Sequence, residues 1–385
     1  MINEERRKLQ LEALDALRSN NYRGIIILPT GTGKSYVLIE ALKELYRPGM
    51  SVLYTCDSIR LRDTDFDEEL KKWGGEEYSQ VIEKQCYASA YKKNGEHYNI
   101  LLADEGDYGL TPAYSQLFTS NTFDHIIFVS ATLEPKKRKL IKDILPIVYE
   151  RQLKEIEEKE VVNKSELFYV PYLLNDKENA EYLQFNKRFH HLLLQPENKH
   201  TKDRIKFLSF ERLHFLANLS SSSYICRGLI KDLRNKDSES KILIFCGSTE
   251  QADSVSYYSY HSKNQELGHL DLFNEGKANK LAVCGKVDRG INLNGVNTII
   301  MEAMTGSETK MIQKSGRGKR LKIGEVLRVY FLVPYYKQLK MNKVRTYPTI
   351  VLDKIRKACK NMGIESAKTY ILKLENENGK SGDSA

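Results

Sequence analysis

The tightest constraint on this chain is the loop Pro29-Thr30-Gly31-Thr32-Gly33-Lys34-Ser35, set between the apolar run 25–28 and the helical pattern YVLIEALKEL. Alternating glycines let the backbone curl until successive N–H groups and a helix N-terminus face one point, which is an anion site. Thr30, Gly31, Thr32 and Gly33 supply the cradle. Lys34 then reaches the β and γ phosphates of a nucleotide, and the Ser35 hydroxyl takes a magnesium coordination position. Leu28 stands where the general Gly-x4-Gly-Lys-Ser/Thr pattern has its first glycine, so that pattern is not literally met. A strand before the loop and a helix after it predict an α/β fold, whose ligands gather at the C-terminal ends of parallel strands.

The rest of the chain repeats this alternation. Short β-prone runs at 25–28, 52–55, 99–103 and 125–129 are separated by amphipathic or polar segments, and the rhythm returns at 241–246, 280–284, 297–301 and 326–333. Strand and helix in alternation predict parallel sheets covered by helices on both faces. A length of 385 residues leaves room for two or three domains. Residues 1–150 read as a first lobe and 241–345 as a second. Between them, 151–240 reads as a connector and helical region or as part of the second lobe, and 346–385 reads as a C-terminal helix with a polar tail.

Sixty Lys and Arg against 51 Asp and Glu leave a formal charge of +9, which favours a polyanionic partner. A membrane-spanning helix would need about 20 consecutive apolar residues, and no such run occurs. The charged N-terminus has no apolar segment followed by a small-residue cleavage site, and the six cysteines show no Cys-x-x-Cys spacing. Reduced thiols and a cytoplasmic location are the expectation. His190 and His191 have no partner at zinc-type spacing, so they read as part of a helix face.

Asp104-Glu105-Gly106-Asp107 follows the strand run NILLA and places carboxylates at a strand end. In-line displacement at a γ-phosphate needs one carboxylate to hold the hydrated magnesium, here Asp104. It needs a second to orient or deprotonate the attacking water, here Glu105.

Taken in order, these motifs resemble those of superfamily 2 helicases over about residues 7–320. The resemblance is strengthened by Gln313-Lys314-Ser315-Gly316-Arg317-Gly318-Lys319-Arg320, which matches Gln-x-x-Gly-Arg-x-x-Arg. It implies two tandem RecA-like P-loop NTPase lobes with ATP and Mg2+ as ligands. It also implies catalytic roles for Gln313, Arg317 and Arg320, the two arginines pointing from one helix face toward a γ-phosphate held by the other lobe. Ser130-Ala131-Thr132 resembles the motif that couples the lobes through the hydroxyls of Ser130 and Thr132. The stretch 283–292 resembles the fifth motif, with Gly290 and Asn292 approaching ATP and Arg289 approaching nucleic acid; Cys284 stands where threonine is commoner. IFCGSTEQADSV is similar to the fourth motif, with Ser248 a phosphate ligand, and CYASAYK to one whose Ser89 and Lys92 contact nucleic acid. Arg7 and Gln10 match the adenine-reading Arg-x-x-Gln.

Gly106 stands where DEAD-box proteins have alanine, and the last motif begins with Gln313 instead of histidine. The segment 53–74, with ASAYK and LTPAY, is similar to DNA helicases of the UvsW, RecG and XPB-like groups. The resemblance therefore implies an ATP-dependent DNA helicase or translocase in which closure of the interlobe cleft is the mechanical step. An RNA helicase with the same motor and an ATP-switched nucleic-acid-binding subunit are the alternatives. Basic segments at 136–142, 314–322 and 337–345 are candidates for phosphate contacts. No accessory domain is recognisable, so targeting falls to 136–240 or to a protein partner of a monomeric motor.

Overall fold

Apolar runs of four to nine residues become strands here because each is buried on both faces by helices, as parallel sheets require. The structure is a computed structural model and describes residues 4–59, 61–159, 161–264, 268–284, 293, 295–303, 325–361 and 367–372. It divides into two units. Described residues up to Lys164 form the first, and those from Ser165 onward form the second, apart from Leu293 and Glu325, which group with the first.

In the first unit, β1 (Arg23–Ile27), β2 (Val52–Cys56), β3 (Ile82–Cys86), β4 (His97–Ala103), β5 (Thr122–Ser130) and β6 (Ile147–Glu150) form one sheet. The order is β3-β2-β4-β5-β1-β6, and every pairing is parallel. The helices are α1 (Glu4–Ser19), α2 (Lys34–Leu45), α3 (Phe66–Lys72), α4 (Tyr87–Ala90), α5 (Gly106–Gly109), α6 (Gln116–Ser120), α7 (Pro135–Ile141) and α8 (Leu153–Glu158). Parallel pairing sets the C-terminal ends of β4, β5 and β1 side by side. The edge strands β3 and β6 add to the apolar runs; β3 carries Glu83, Lys84 and Gln85 at its half-exposed positions, and β6 is only four residues long.

In the second unit, β7 (Ser165–Leu173), β8 (Ile242–Phe245), β9 (Ser259–Tyr260), β10 (Lys280–Val283), β11 (Thr298–Met301), β12 (Leu327–Lys340), β13 (Lys343–Pro348) and β14 (Lys368–Thr369) build the other sheet. Its order is β14-β7-β12-β11-β8-β10-β9, parallel throughout, with β13 added antiparallel to β12. The helices are α9 (Asp176–Leu193), α10 (Lys199–Ala217), α11 (Ser220–Lys236), α12 (Thr249–Val255), α13 (His269–Asn274) and α14 (Ile350–Asn361). Among the described residues, no helix is long and apolar enough to cross a membrane.

The region 151–240 divides between the two units. Helix α8 falls in the first unit, whereas β7 and α9 to α11 belong to the second. Strand β7 pairs with β12 from Ser165 to Leu173, an internal position that local pattern does not disclose. The strand expected over 326–333 runs on to Lys340 because β13 folds back on it. Part of the segment 346–385 joins the sheet as β14, at the edge beside β7.

One close contact ties α10 to the second sheet. A β-carbon on Gly247, just after β8, would lie 2.0 Å from the Ala217 carbonyl oxygen at the end of α10. A backbone atom there has little room to yield. We expect Gly247→Ala to cost about 3 kcal/mol, the upper range for inserting a methyl group into a packed site. Urea unfolding followed by circular dichroism should show the lowered midpoint.

Candidate active site

Strand β1 delivers the glycine loop to the C-terminal edge of the first sheet. Leu28 continues the ladder there, its N–H donating to the Ser130 carbonyl at 3.0 Å with no side-chain exposure. A core side chain thus occupies the place of the missing glycine. Gly31 and Gly33 take φ values of 91° and 89°, which side-chain-bearing residues avoid. The Thr32 hydroxyl donates to the Pro29 carbonyl at 2.8 Å and closes the loop on itself. Helix α2 starts at Lys34 without a side-chain cap and without an acidic residue in its first turn. Its N-terminal partial positive charge is therefore left for an anion.

Two strands away, Asp104 follows β4 and is buried. One carboxylate oxygen accepts the Glu105 N–H at 3.0 Å, and the other accepts the Tyr54 hydroxyl at 3.2 Å. Burial and the neighbouring Glu105 push its pKa up to about 6, against the pull of Lys34. Glu105 sits in the left-handed region at φ 46°, and its carboxylate lies 3.7 Å from the Lys34 ammonium. Non-glycine residues in that region cost about 1–3 kcal/mol and gather at functional sites. The buried Glu105 Oε2, Thr30 Oγ1, Thr132 Oγ1 and Gln10 Oε1 find no hydrogen-bond partner among the described residues.

The acidic cluster is locked to the end of β5. The Ser130 hydroxyl donates to Asp107 at 2.9 Å, and Lys137 of α7 donates to the Asp107 carbonyl at 2.7 Å and pairs with its carboxylate at 3.3 Å. The Thr132 N–H returns to the Ser130 oxygen at 3.3 Å. From the other side, the Tyr87 hydroxyl donates to the Asp104 carbonyl at 3.1 Å. Tyr54, Tyr87, Asp107 and Lys137 had no role on sequence grounds. Lys137 was one cation of a basic run, and nothing in local spacing links it to an aspartate thirty residues earlier.

The remaining candidates divide. Gln10 is buried against the loop, its side-chain amide donating to the Thr32 carbonyl at 2.9 Å, and Arg7 stacks on the Tyr36 ring at 4.3 Å. Ser35 is half-buried beside Lys34, whereas Ser89 and Lys92 are exposed on and after α4. Ser248 caps α12, accepting the Gln251 N–H at 3.2 Å within a capping box. Its hydroxyl has a local partner, which its reading as a phosphate ligand did not foresee. Arg289, Gly290, Asn292, Gln313, Arg317 and Arg320 lie outside the described residues.

A glycine loop leading into a helix, with buried carboxylates at the end of a nearby parallel strand, defines a P-loop nucleotide-binding protein built on RecA-like sheets. The family description "Type III restriction enzyme, res subunit" matches residues 3–168, and "Helicase conserved C-terminal domain" matches residues 223–322. Among solved structures, the chain resembles the ATP-dependent Type ISP restriction-modification enzyme LlaBIII bound to DNA. The TM-score is 0.60 at 13% identity, over 97% of this chain and 31% of that one. This chain therefore spans about a third of that enzyme's length. It resembles Saccharomyces cerevisiae Dbp5 bound to RNA and ADP BeF3 with a TM-score of 0.57 at 15% identity, over 95% of this chain and 90% of that one. The Pyrococcus furiosus Hef helicase domain follows at 0.50 and 14%, over 84% and 94%. No curated protein matches the sequence. The chain belongs to the superfamily 2 helicases and is an ATP-hydrolysing enzyme of that family.

Gly106 in the acidic cluster has a steric cause. A β-carbon there would lie 2.5 Å from the Phe128 ring of β5. Gly106→Ala should therefore destabilise the first unit by about 1–3 kcal/mol, and adding Phe128→Leu should recover part of the loss. Fluorescence of Trp73, the single tryptophan, during urea unfolding measures both.

Proposed function

We propose that this chain is an ATP-dependent DNA motor, a translocase or helicase whose hydrolysis is conditional on bound nucleic acid. The observation that carries the reading is the 3.7 Å approach of the Lys34 ammonium to the Glu105 carboxylate across the C-terminal edge of the sheet. It sets a phosphate-binding cation beside a candidate general base. In this reading the loop 30–35 binds the β and γ phosphates, Lys34 neutralises them, and Glu105 takes a proton from the attacking water. Ser35 and Asp104 would hold Mg2+, which when bound offsets the negative charge of the phosphates.

The orphaned Gln10 Oε1 is suited to accept from the adenine amino group, with the Arg7–Tyr36 stack beside it. In this reading the hydroxyls of Ser130 and Thr132 couple the two lobes, and that of Ser130 also holds Asp107 of the acidic cluster. Arg317 and Arg320 stabilise charge on the transferring phosphoryl group, with Gln313, Gly290 and Asn292 completing the site. Nucleic acid held by Ser89, Lys92, Ser248 and Arg289 changes how those arginines approach the phosphate, which makes hydrolysis depend on the polymer. DNA is favoured over RNA by the glycine in the acidic cluster, by Gln313 in place of histidine and by the match to a restriction-enzyme subunit. RNA remains the specific rival, given the likeness to Dbp5.

The test is steady-state ATP hydrolysis with no nucleic acid, single-stranded DNA, forked DNA and RNA. DNA should stimulate most strongly. Glu105→Gln should lower the stimulated kcat by about 10²–10⁴ while leaving ATP binding intact, as loss of a general base does. Stimulation by RNA alone would transfer the motor to RNA, and no stimulation by any polymer would favour the ATP-switched subunit. Independently, Arg317→Ala should cost about 10³ or more in kcat if it acts as a trans arginine.

A further inference from the structure

Strand β12 runs past the edge of its sheet. Its pairing with β7 ends at Tyr335, and beyond that point only β13 accompanies it, as a two-stranded ribbon closed by Met341 and Asn342. The base of the ribbon is braced. The Asn179 side chain of α9 takes both main-chain groups of Lys337, accepting its N–H at 2.6 Å and donating to its carbonyl at 3.0 Å. Tyr336 packs between Tyr182 and Tyr347, with ring centroids 5.0 and 5.7 Å apart. The tip is bare: Leu339, Met341 and Val344 are 67%, 91% and 67% exposed.

The cross-strand register sorts the ribbon into two faces. Lys340 lies opposite Lys343 and Gln338 opposite Arg345, all on one face, while Leu339 lies opposite Val344 on the other. Like charges directly opposite one another weaken a ribbon unless an anion lies over them. No carboxylate occurs between Val326 and Leu352. The turn residues Met341 and Asn342 take φ values of 51° and 59°, where tight hairpins favour asparagine and glycine. A methionine there is unfavourable for the backbone, and its side chain is the most exposed of the large apolar ones among the described residues. Lysines on an edge strand can serve only to block edge pairing, but that role does not leave Leu339 and Val344 side by side in water.

We propose that this ribbon is a nucleic-acid contact separate from the motor motifs. Lys340, Lys343 and Arg345 seat on phosphodiester backbone, and the tip at Leu339, Met341 and Val344 packs against the bases. Two-stranded ribbons fit a nucleic-acid groove, and apolar side chains at a protruding tip can wedge against base steps. The inference rests on the reading of the chain as a nucleic-acid motor.

The test measures binding of the full chain to a fluorescently labelled forked DNA duplex across a range of salt, without ATP. Lys340→Gln with Lys343→Gln should weaken binding about tenfold and reduce the slope of log affinity against log salt by about 2, since each lost phosphate contact removes close to one released counterion. The change removes an opposed like-charge pair along with the contact of the Lys340 ammonium on the Tyr347 ring at 5.3 Å, so circular dichroism and thermal unfolding should show the fold of the variant unchanged. Lys340→Arg with Lys343→Arg should bind as wild type. Leu339→Ser with Val344→Ser should weaken binding with the slope unchanged, as no counterion is involved. ATP hydrolysis without nucleic acid should be the same in every variant. If the wild type binds and the glutamine variant matches its affinity and slope, the ribbon proposal is overturned and the motor reading stands. Should the wild type bind no nucleic acid, both fail.

Discussion

A carboxylate taken out of water survives as a charge only where other groups answer it, and Asp104 is where the first unit meets that requirement. Tyr54 comes from β2, Lys34 from the start of α2, and the Glu105 N–H from the next peptide. Each partner belongs to a different element, so the electrostatics hold only if β2, β4, β5 and β1 keep their order in the sheet. Removing one partner of a buried pair costs several kcal/mol, because the charge left behind has no solvent. The turn after Asp104 follows from the same crowding. Glu105 enters the left-handed region, Gly106 passes under the Phe128 ring, and Asp107 lands within reach of Ser130 and Lys137. The strained residue is the candidate base, and the residues around it leave it little freedom to relax.

The second unit meets a similar demand with a different device. Glu302 follows β11 and is buried, and burial raises its pKa. One of its oxygens accepts from the hydroxyls of Ser222 and Ser223 at 3.1 and 2.6 Å. Glu178 of α9 accepts from Ser220 and from the Ser221 N–H, both at 3.0 Å. Four consecutive serines thus open α11 with two carboxylates gathered at its positive end, where a helix favours negative charge. These bonds join α9, α11 and the sheet, which is why the helices before β8 are part of this unit and not a linker to it.

What was legible in the sequence was what depends on spacing along the chain. The loop 29–35, the acidic cluster and the alternation of strands and helices each lie within a short window, so pattern alone exposed them. The placement of β7 beside β12 joins residues more than 150 positions apart, and the pairing of Ser130 with Asp107 depends on which strands are neighbours. Neither leaves a local trace. Gly106 is instructive, because it appeared only as a departure from a family pattern, and its cause is an aromatic ring on the adjacent strand. Ser248 shows how one short pattern can carry two readings. Its motif was legible, but serine three residues before glutamine is also a helix-capping box, in which the Ser248 oxygen accepts the Gln251 N–H while its hydroxyl hydrogen stays available to donate.

The three basic segments show how far charge can be read without structure. In sequence only the second carries a motif, and the first and third look alike. In the fold, Lys137 of the first is paired with Asp107 and Arg138 with Glu150, so part of that run serves the acidic cluster and the packing of α7. The second, 314–322, lies outside the described residues. The third stands on a ribbon where Lys340 and Lys343 oppose one another and neither pairs with a carboxylate among the described residues. A cation already matched inside the protein gains little from an external anion, since it must first give up its partner. The capacity to bind a polyanion therefore follows unmatched charge held on a rigid base, and the net charge of the chain is a poor guide to where that charge lies.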